Sequence, residues 1–236
     1  MTRRRWIADE VSDHRATLTG YHADHLIRVL RARVGQEFDI IANGVVRRGR
    51  VVSLGEGRVD FELGDEIPAS SSTNLTLVLA IFKFDRMEWA IEKCTELGVA
   101  KIIPVVARRT DAHLASAAAK RVERWHRIAR QAAEQSRRST PPEIADPVKL
   151  REAASLPGAL RIVLSEVEQE TQLRDVLVAN GTEAETLLAI GPEGGWTEDE
   201  LQLFQTAGWI SASLGSTILR AETAAIAATA IAVSQL

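Results

Sequence analysis

From residue 75 onward the chain alternates short apolar runs with segments of helical period, and this alternation constrains the fold more than any other feature. The runs at 75–81, 102–106, 160–165, 187–191 and 210–214 are built largely from Val, Ile, Leu and Ala. Apolar runs separated by helices are the mark of a parallel sheet covered on both faces. Residues 86–97 put Met87, Ala90, Ile91, Cys94 and Leu97 on one stripe, with Gly98 suited to a C-terminal cap. A longer helix is predicted over 116–138, with Val122, Trp125, Ala129 and Ala132 inward and Arg121, Arg124 and Arg127 outward.

The first 65 residues read differently. Short runs at 37–41, 45–54 and 57–63 are punctuated by Gly35, Asn43-Gly44 and Gly55, and Asn-Gly between such runs signals a hairpin. One helix is predicted over 22–33, with Leu26, Val29 and Leu30 on a shared face. A small barrel is the simplest closure for these strands. The polar, Ser-rich stretch 65–74 divides the chain into domains at 1–70 and 75–236.

A net charge of −3 conceals a strong asymmetry. Residues 101–150 carry 11 Lys/Arg against 5 Asp/Glu, whereas 151–236 carry 4 against 12. Basic blocks of this kind either hold phosphate or are solvated helix faces. The lone Cys94 excludes an internal disulfide, no run is long enough for a membrane span, and the basic start lacks an apolar signal core. A cytoplasmic location is expected. His22 and His25 have no further Cys or His to complete a zinc site, so no metal is expected.

Two segments carry the chemistry. In Ile190-Gly191-Pro192-Glu193-Gly194-Gly195-Trp196-Thr197 a strand enters a glycine-rich loop, and Thr197 with Glu200 then forms a capping-box pattern. Such loops bind ligands at the carboxyl ends of strands in α/β sheets, or are simple tight turns. The sequence lacks Gly-Lys-Ser/Thr and Gly-x-Gly-x-x-Gly, and Glu193 would repel phosphate, so nucleotide triphosphates and dinucleotides fit poorly. The second segment, Leu214-Gly215-Ser216-Thr217-Ile218-Leu219-Arg220-Ala221-Glu222-Thr223-Ala224, repeats strand, loop and helix. Arg220 and Glu222 are the only charges after Glu200, and they are either functional or a salt bridge capping the last helix. Ser165-Glu166 either edges a pocket or caps its strand.

At these residues the chain resembles the RsmE family of the SPOUT superfamily. The resemblance rests on His25-Leu26, Val29-Leu30-Arg31 and Gly35. It continues through Lys83, Arg86-Met87-Glu88, Lys93, Glu96-Leu97-Gly98-Val99, Glu134-Gln135, Arg138 and Pro142, and then both glycine segments. It implies an α/β protein with an N-terminal PUA-like RNA-binding β-barrel and a C-terminal SPOUT methyltransferase domain containing a deep trefoil knot. It also implies methyl transfer from S-adenosylmethionine to N3 of a uridine in 16S ribosomal RNA, free or in the small subunit, by a homodimer. Leu164, Ile190, Gly191, Glu193, Gly194, Gly195, Leu214, Gly215, Ile218 and Leu219 are then the cofactor residues. Arg220 and Glu222 take the catalytic places, Arg220 against the uracil oxygens and Glu222 orienting it or accepting the proton. Arg31, Arg137 and Arg138 contact RNA, although Arg137 stands where the family often has Gly. The alternatives are another SPOUT enzyme acting on transfer RNA or a ribose 2′-hydroxyl, and a non-catalytic RNA-binding assembly factor.

Overall fold

The computed structural model describes residues 5–67, 73–181 and 185–235, so the middle of the expected linker lies outside the described residues. The chain forms two compact units. Met1–Ser71 and Arg130–Pro141 make the first, and Ser72–Ala129 and Pro142–Leu236 make the second.

In the first unit, β1 (Arg5–Ile7), β2 (Glu10–Ser12), β3 (Arg15–Thr19), β4 (Glu37–Ala42), β5 (Val45–Gly55) and β6 (Arg58–Glu66) form one sheet in the order β1-β4-β5-β6-β3-β2. All pairs are antiparallel except β1 with β4. The first three strands are too short and too polar to announce themselves in the sequence. Asn43 and Gly44 take φ of 52° and 80°, and two successive left-handed residues are what a tight β4–β5 hairpin requires. Trp6, Leu18, Leu26, Ile40 and Phe61 fill the core.

The helix predicted over 22–33 is shorter and irregular. After α1 (Gly20–Asp24) the chain widens into a π-helical turn, His25–Val29. The wider turn breaks the 3.6-residue period, so only Leu26 is buried while Val29 and Leu30 are exposed.

In the second unit, β7 (Leu75–Ala80), β8 (Lys101–Val106), β9 (Glu143–Ile144), β10 (Val148–Lys149), β11 (Leu160–Leu164), β12 (Thr186–Ile190) and β13 (Ile210–Ala212) form an all-parallel sheet. Its order is β10-β8-β7-β12-β11-β13, with β9 also on β8. The apolar runs are explained by two cores. Leu75, Leu77, Leu79, Ile162, Leu188 and Ile190 face one layer, built from α2 (Phe84–Leu97), α4 (Val122–Gln135), α6 (Leu173–Asn180) and α8 (Ala221–Gln235). Val78, Ala80, Ile103, Val105, Val163 and Ala189 face the other, with α5 (Leu150–Ala154) and α7 (Glu198–Thr206).

The single helix predicted over 116–138 is three pieces: α3 (Ala112–Ala117), a 3₁₀ turn (Ala118–Arg121) and α4. The tighter turn buries Ala118, and the alanines around it carry no pattern that would mark the break. At the far end Arg137 adopts φ of 64°, and Arg138 N–H bonds to Ala133 O at 2.9 Å, closing α4 in the manner of a left-handed cap. No helix among the described residues is long and apolar enough to cross a membrane.

Candidate functional site

Three neighbouring strands, β12, β11 and β13, end side by side, and a cavity of about 300 Å³ opens at their carboxyl ends. That volume lies at the lower end of small-molecule sites. All ten residues expected to hold the cofactor line it. Leu164 and Ile190 come from the strand ends, Gly191 to Gly195 from the loop after β12, and Leu214 to Leu219 from the loop after β13. The sequence placed these loops in separate motifs, and the parallel order brings them together.

The first loop is fixed by its own helix. Thr197 N–H donates to Glu200 Oε2 at 2.8 Å, Glu200 N–H returns to Thr197 Oγ1 at 3.4 Å, and Arg108 N–H donates to Glu200 Oε1 at 2.7 Å. The expected capping box is thus present, and it satisfies a buried carboxylate. The glycines are a cradle. A Cβ on Gly194 would lie 3.1 Å from Arg109 Cδ, and one on Gly195 would lie 2.0 Å from Glu166 Oε1. Gly195 also has φ of 71°, a backbone conformation in which a side chain is strained.

The cavity suits a ligand read mainly by backbone. Ser213 lines it, and its buried Oγ has no hydrogen-bond partner among the described residues. A buried hydroxyl without a partner is costly unless a ligand or water supplies one. With apolar walls at Leu164, Ile190 and Leu219 this set fits an adenosyl compound. No group of His, Cys, Asp and Glu among the described residues could hold a metal.

The charged residues are arranged differently from their sequence order. Arg220 is exposed and makes no side-chain hydrogen bond or ion pair among the described residues, so the helix-capping Arg220–Glu222 bridge does not form. Both flank Ala221, which lines the cavity, without lining it themselves. Glu222 is buried and faces Arg86 on α2, with Oε1 3.8 Å from Arg86 Nε. Arg86 Nη1 donates to Glu193 Oε1 at 2.6 Å. One guanidinium therefore links the first glycine loop to the helix that follows the second. Arg86 stood in a matched motif, but nothing in its local sequence pointed to this role.

The RNA candidates Arg31, Arg137 and Arg138 all belong to the first unit. Arg31 is exposed, and it and Arg137 take positive φ, 51° and 64°. Burial lowers the pKa of Arg138 to about 10, which leaves it a cation at neutral pH.

A parallel α/β sheet with two glycine loops walling one cavity defines a small-molecule-binding α/β domain, and the model of the RNA methyltransferase domain matches residues 69–233. Ribosomal RNA small subunit methyltransferase E of Synechocystis sp. is 33% identical over 222 residues, covering 92% of this chain and 72% of the relative. The protein of the same name in Mycobacterium bovis is 33% identical over 225 residues, covering 90% and 84%. A solved methyltransferase E of Neisseria gonorrhoeae, bound to S-adenosyl methionine, superposes with a TM-score of 0.86 at 31% identity, covering 97% of this chain and 96% of that one. The chain belongs to the ribosomal RNA small subunit methyltransferase E (RsmE) family.

Proposed function

We propose that this protein transfers a methyl group from S-adenosylmethionine to N3 of a uridine in 16S ribosomal RNA. The observation that carries the reading is the convergence of all ten expected cofactor residues on one cavity at the carboxyl edge of the sheet. Bound there, S-adenosylmethionine supplies an electrophilic methyl group. Leu164, Ile190 and Leu219 give that cavity apolar walls, and Gly215, with open space where a Cβ would stand, leaves room for close approach of a ligand to backbone. Ser213 Oγ offers a hydrogen bond.

N3 of uracil becomes a good nucleophile when its proton leaves. Arg220, exposed and free of side-chain partners among the described residues, can meet the uracil oxygens as negative charge develops. Glu222, held beside Arg86, acts at second hand on that site or accepts the proton. Arg31, Arg137 and Arg138 hold RNA phosphate without reading sequence.

The same reading gives residues 1–70 the role of a PUA-like RNA-binding barrel and residues 75–236 that of a SPOUT domain with a deep trefoil knot. The mixed sheet of the first unit and the placement of β12 between β7 and β11 support it. A cytoplasmic homodimer follows from the family resemblance, and Ile218, 85% exposed at the cavity, is an apolar side chain that a ligand or second subunit would cover. The test is mass mapping of 16S rRNA after incubation with the protein and labelled cofactor. One N3-methylated uridine is expected. Label on a ribose 2′-oxygen or on transfer RNA would move the chain to a sibling activity, and no label would leave a binding protein.

A further inference from the structure

Arg86 accounts for two of the carboxylates around the cavity, Glu193 and Glu222. One carboxylate in the cavity wall is left over. Glu166 lies just past the end of β11, the strand between β12 and β13, and among the described residues its side chain makes no ion pair and no hydrogen bond. Its side chain is exposed and its carboxylate lies over the neighbouring loop, where a Cβ at residue 195 would sit 2.0 Å from Oε1 and 2.8 Å from Cδ. Glu166 and Gly195 thus share one stretch of the cavity wall.

Water satisfies such a group while the cavity is open. When a ligand fills the cavity the water leaves, and an unpartnered negative charge against the ligand is costly unless the ligand brings positive charge. Resting on the reading of this cavity as the S-adenosylmethionine site, we propose that Glu166 faces the sulfonium and selects the methylated cofactor over its spent form. In the transfer to N3, whose proton has already left to a base, the S–CH3 bond breaks and its electron pair stays on sulfur, while the N3 pair makes the new C–N bond. Glu166 then faces a neutral thioether and loses its attraction, which favours product release.

The role is in selectivity, not rate. A carboxylate that stabilises the sulfonium stabilises the ground state more than a transition state in which that charge is fading, so it does not accelerate the chemical step and slightly opposes it.

The experiment is calorimetric titration of wild type, Glu166→Gln and Glu166→Asp with three ligands: S-adenosylmethionine, S-adenosylhomocysteine, and sinefungin, in which a protonated amine stands for the methylated sulfur. In Glu166→Gln the two cationic ligands are expected to weaken by about tenfold, the scale of one partly screened ion pair, while S-adenosylhomocysteine stays within about twofold. Glu166→Asp is expected to retain more of the discrimination than Glu166→Gln. Equal weakening of all three ligands would overturn the proposal, because the carboxylate would then be meeting the ribose hydroxyls or the ammonium that they share. Unchanged affinities would overturn it too. Wild-type protein that binds none of the three would instead overturn the site assignment itself, a distinct failure.

Discussion

Arg220 and Glu222 are two residues apart, yet one is exposed and the other buried against Arg86. Their separation makes Arg220 testable without disturbing the core. Arg220→Ala is expected to keep its fold and cofactor affinity and to lose about 10²–10³ in single-turnover methyl transfer, the usual cost of removing one preorganised donor. Arg220→Lys should rescue little, since a point charge does not reproduce the planar fork. Near wild-type turnover in Arg220→Ala would remove it from the chemistry. Cys94 gives a pH prediction. Burial pushes its thiol up from 9.0 to about 12, and Thr229 Oγ1 lies 3.3 Å from the sulfur. The unfolded thiol ionises first as pH rises, so stability due to Cys94 is whole below pH 9 and is lost progressively towards pH 12. Urea midpoints from pH 8 to 11 should therefore fall more steeply for wild type than for Cys94→Ala, and parallel curves would contradict the shift. Arg137 completes the residue scale. Its φ of 64° is a conformation that Gly adopts freely and Arg does not, so Arg137 carries local strain.

At the scale of elements, the two glycine loops are tied together by a helix that contributes nothing to the cavity lining. Arg86, in the first turn of α2, holds Glu193 on one side and approaches Glu222 on the other. The Glu193 pair is about one-third exposed and adds little stability, whereas Glu222 is 4% exposed and its Oε2 has no hydrogen-bond partner among the described residues. Removing Arg86 leaves that carboxylate buried without a cation, which costs about 1–3 kcal/mol. Adding Glu222→Gln to Arg86→Ala should return most of that loss, because a neutral amide is cheaper to bury. A double-mutant cycle by urea denaturation checks this, and additivity within about 0.5 kcal/mol would show the two side chains to be uncoupled. Arg86→Ala should also weaken cofactor binding, since Glu193 then no longer anchors its loop.

For the whole molecule, the outer face of α8 matters most. Trp89 is 48% exposed, and with Leu97, Ile226, Ala227 and Ala230 it lines an apolar groove between α2 and α8. A helix of small residues permits close approach of another surface, and burying this face in a second copy of the chain would remove it from water. Light scattering is expected to give twice the 25.8 kDa chain mass, and Trp89→Glu is expected to give the single mass. A wild-type protein that stays monomeric at micromolar concentration would sink the dimer.

What the sequence determined by itself were the features encoded locally: five of the seven parallel-sheet strands (the two-residue β9 and β10 are too short to show a period), the Asn43-Gly44 hairpin, the Thr197–Glu200 capping box and the two glycine segments. Each depends on neighbours within about four residues, where residue type sets backbone and period directly. The cavity-lining set was legible only through the family resemblance, since no local rule says that residues 164, 191–195 and 214–219 share one wall. Tertiary structure alone decided the rest. It set the π-helical turn that exposed Val29 and Leu30, the break at Ala118, the pairing of Glu222 with Arg86 rather than Arg220, and the approach of Glu166 to Gly195. These are contacts across long stretches of chain, or distortions made to satisfy them, and their energies depend on which surfaces meet once the sheets have formed.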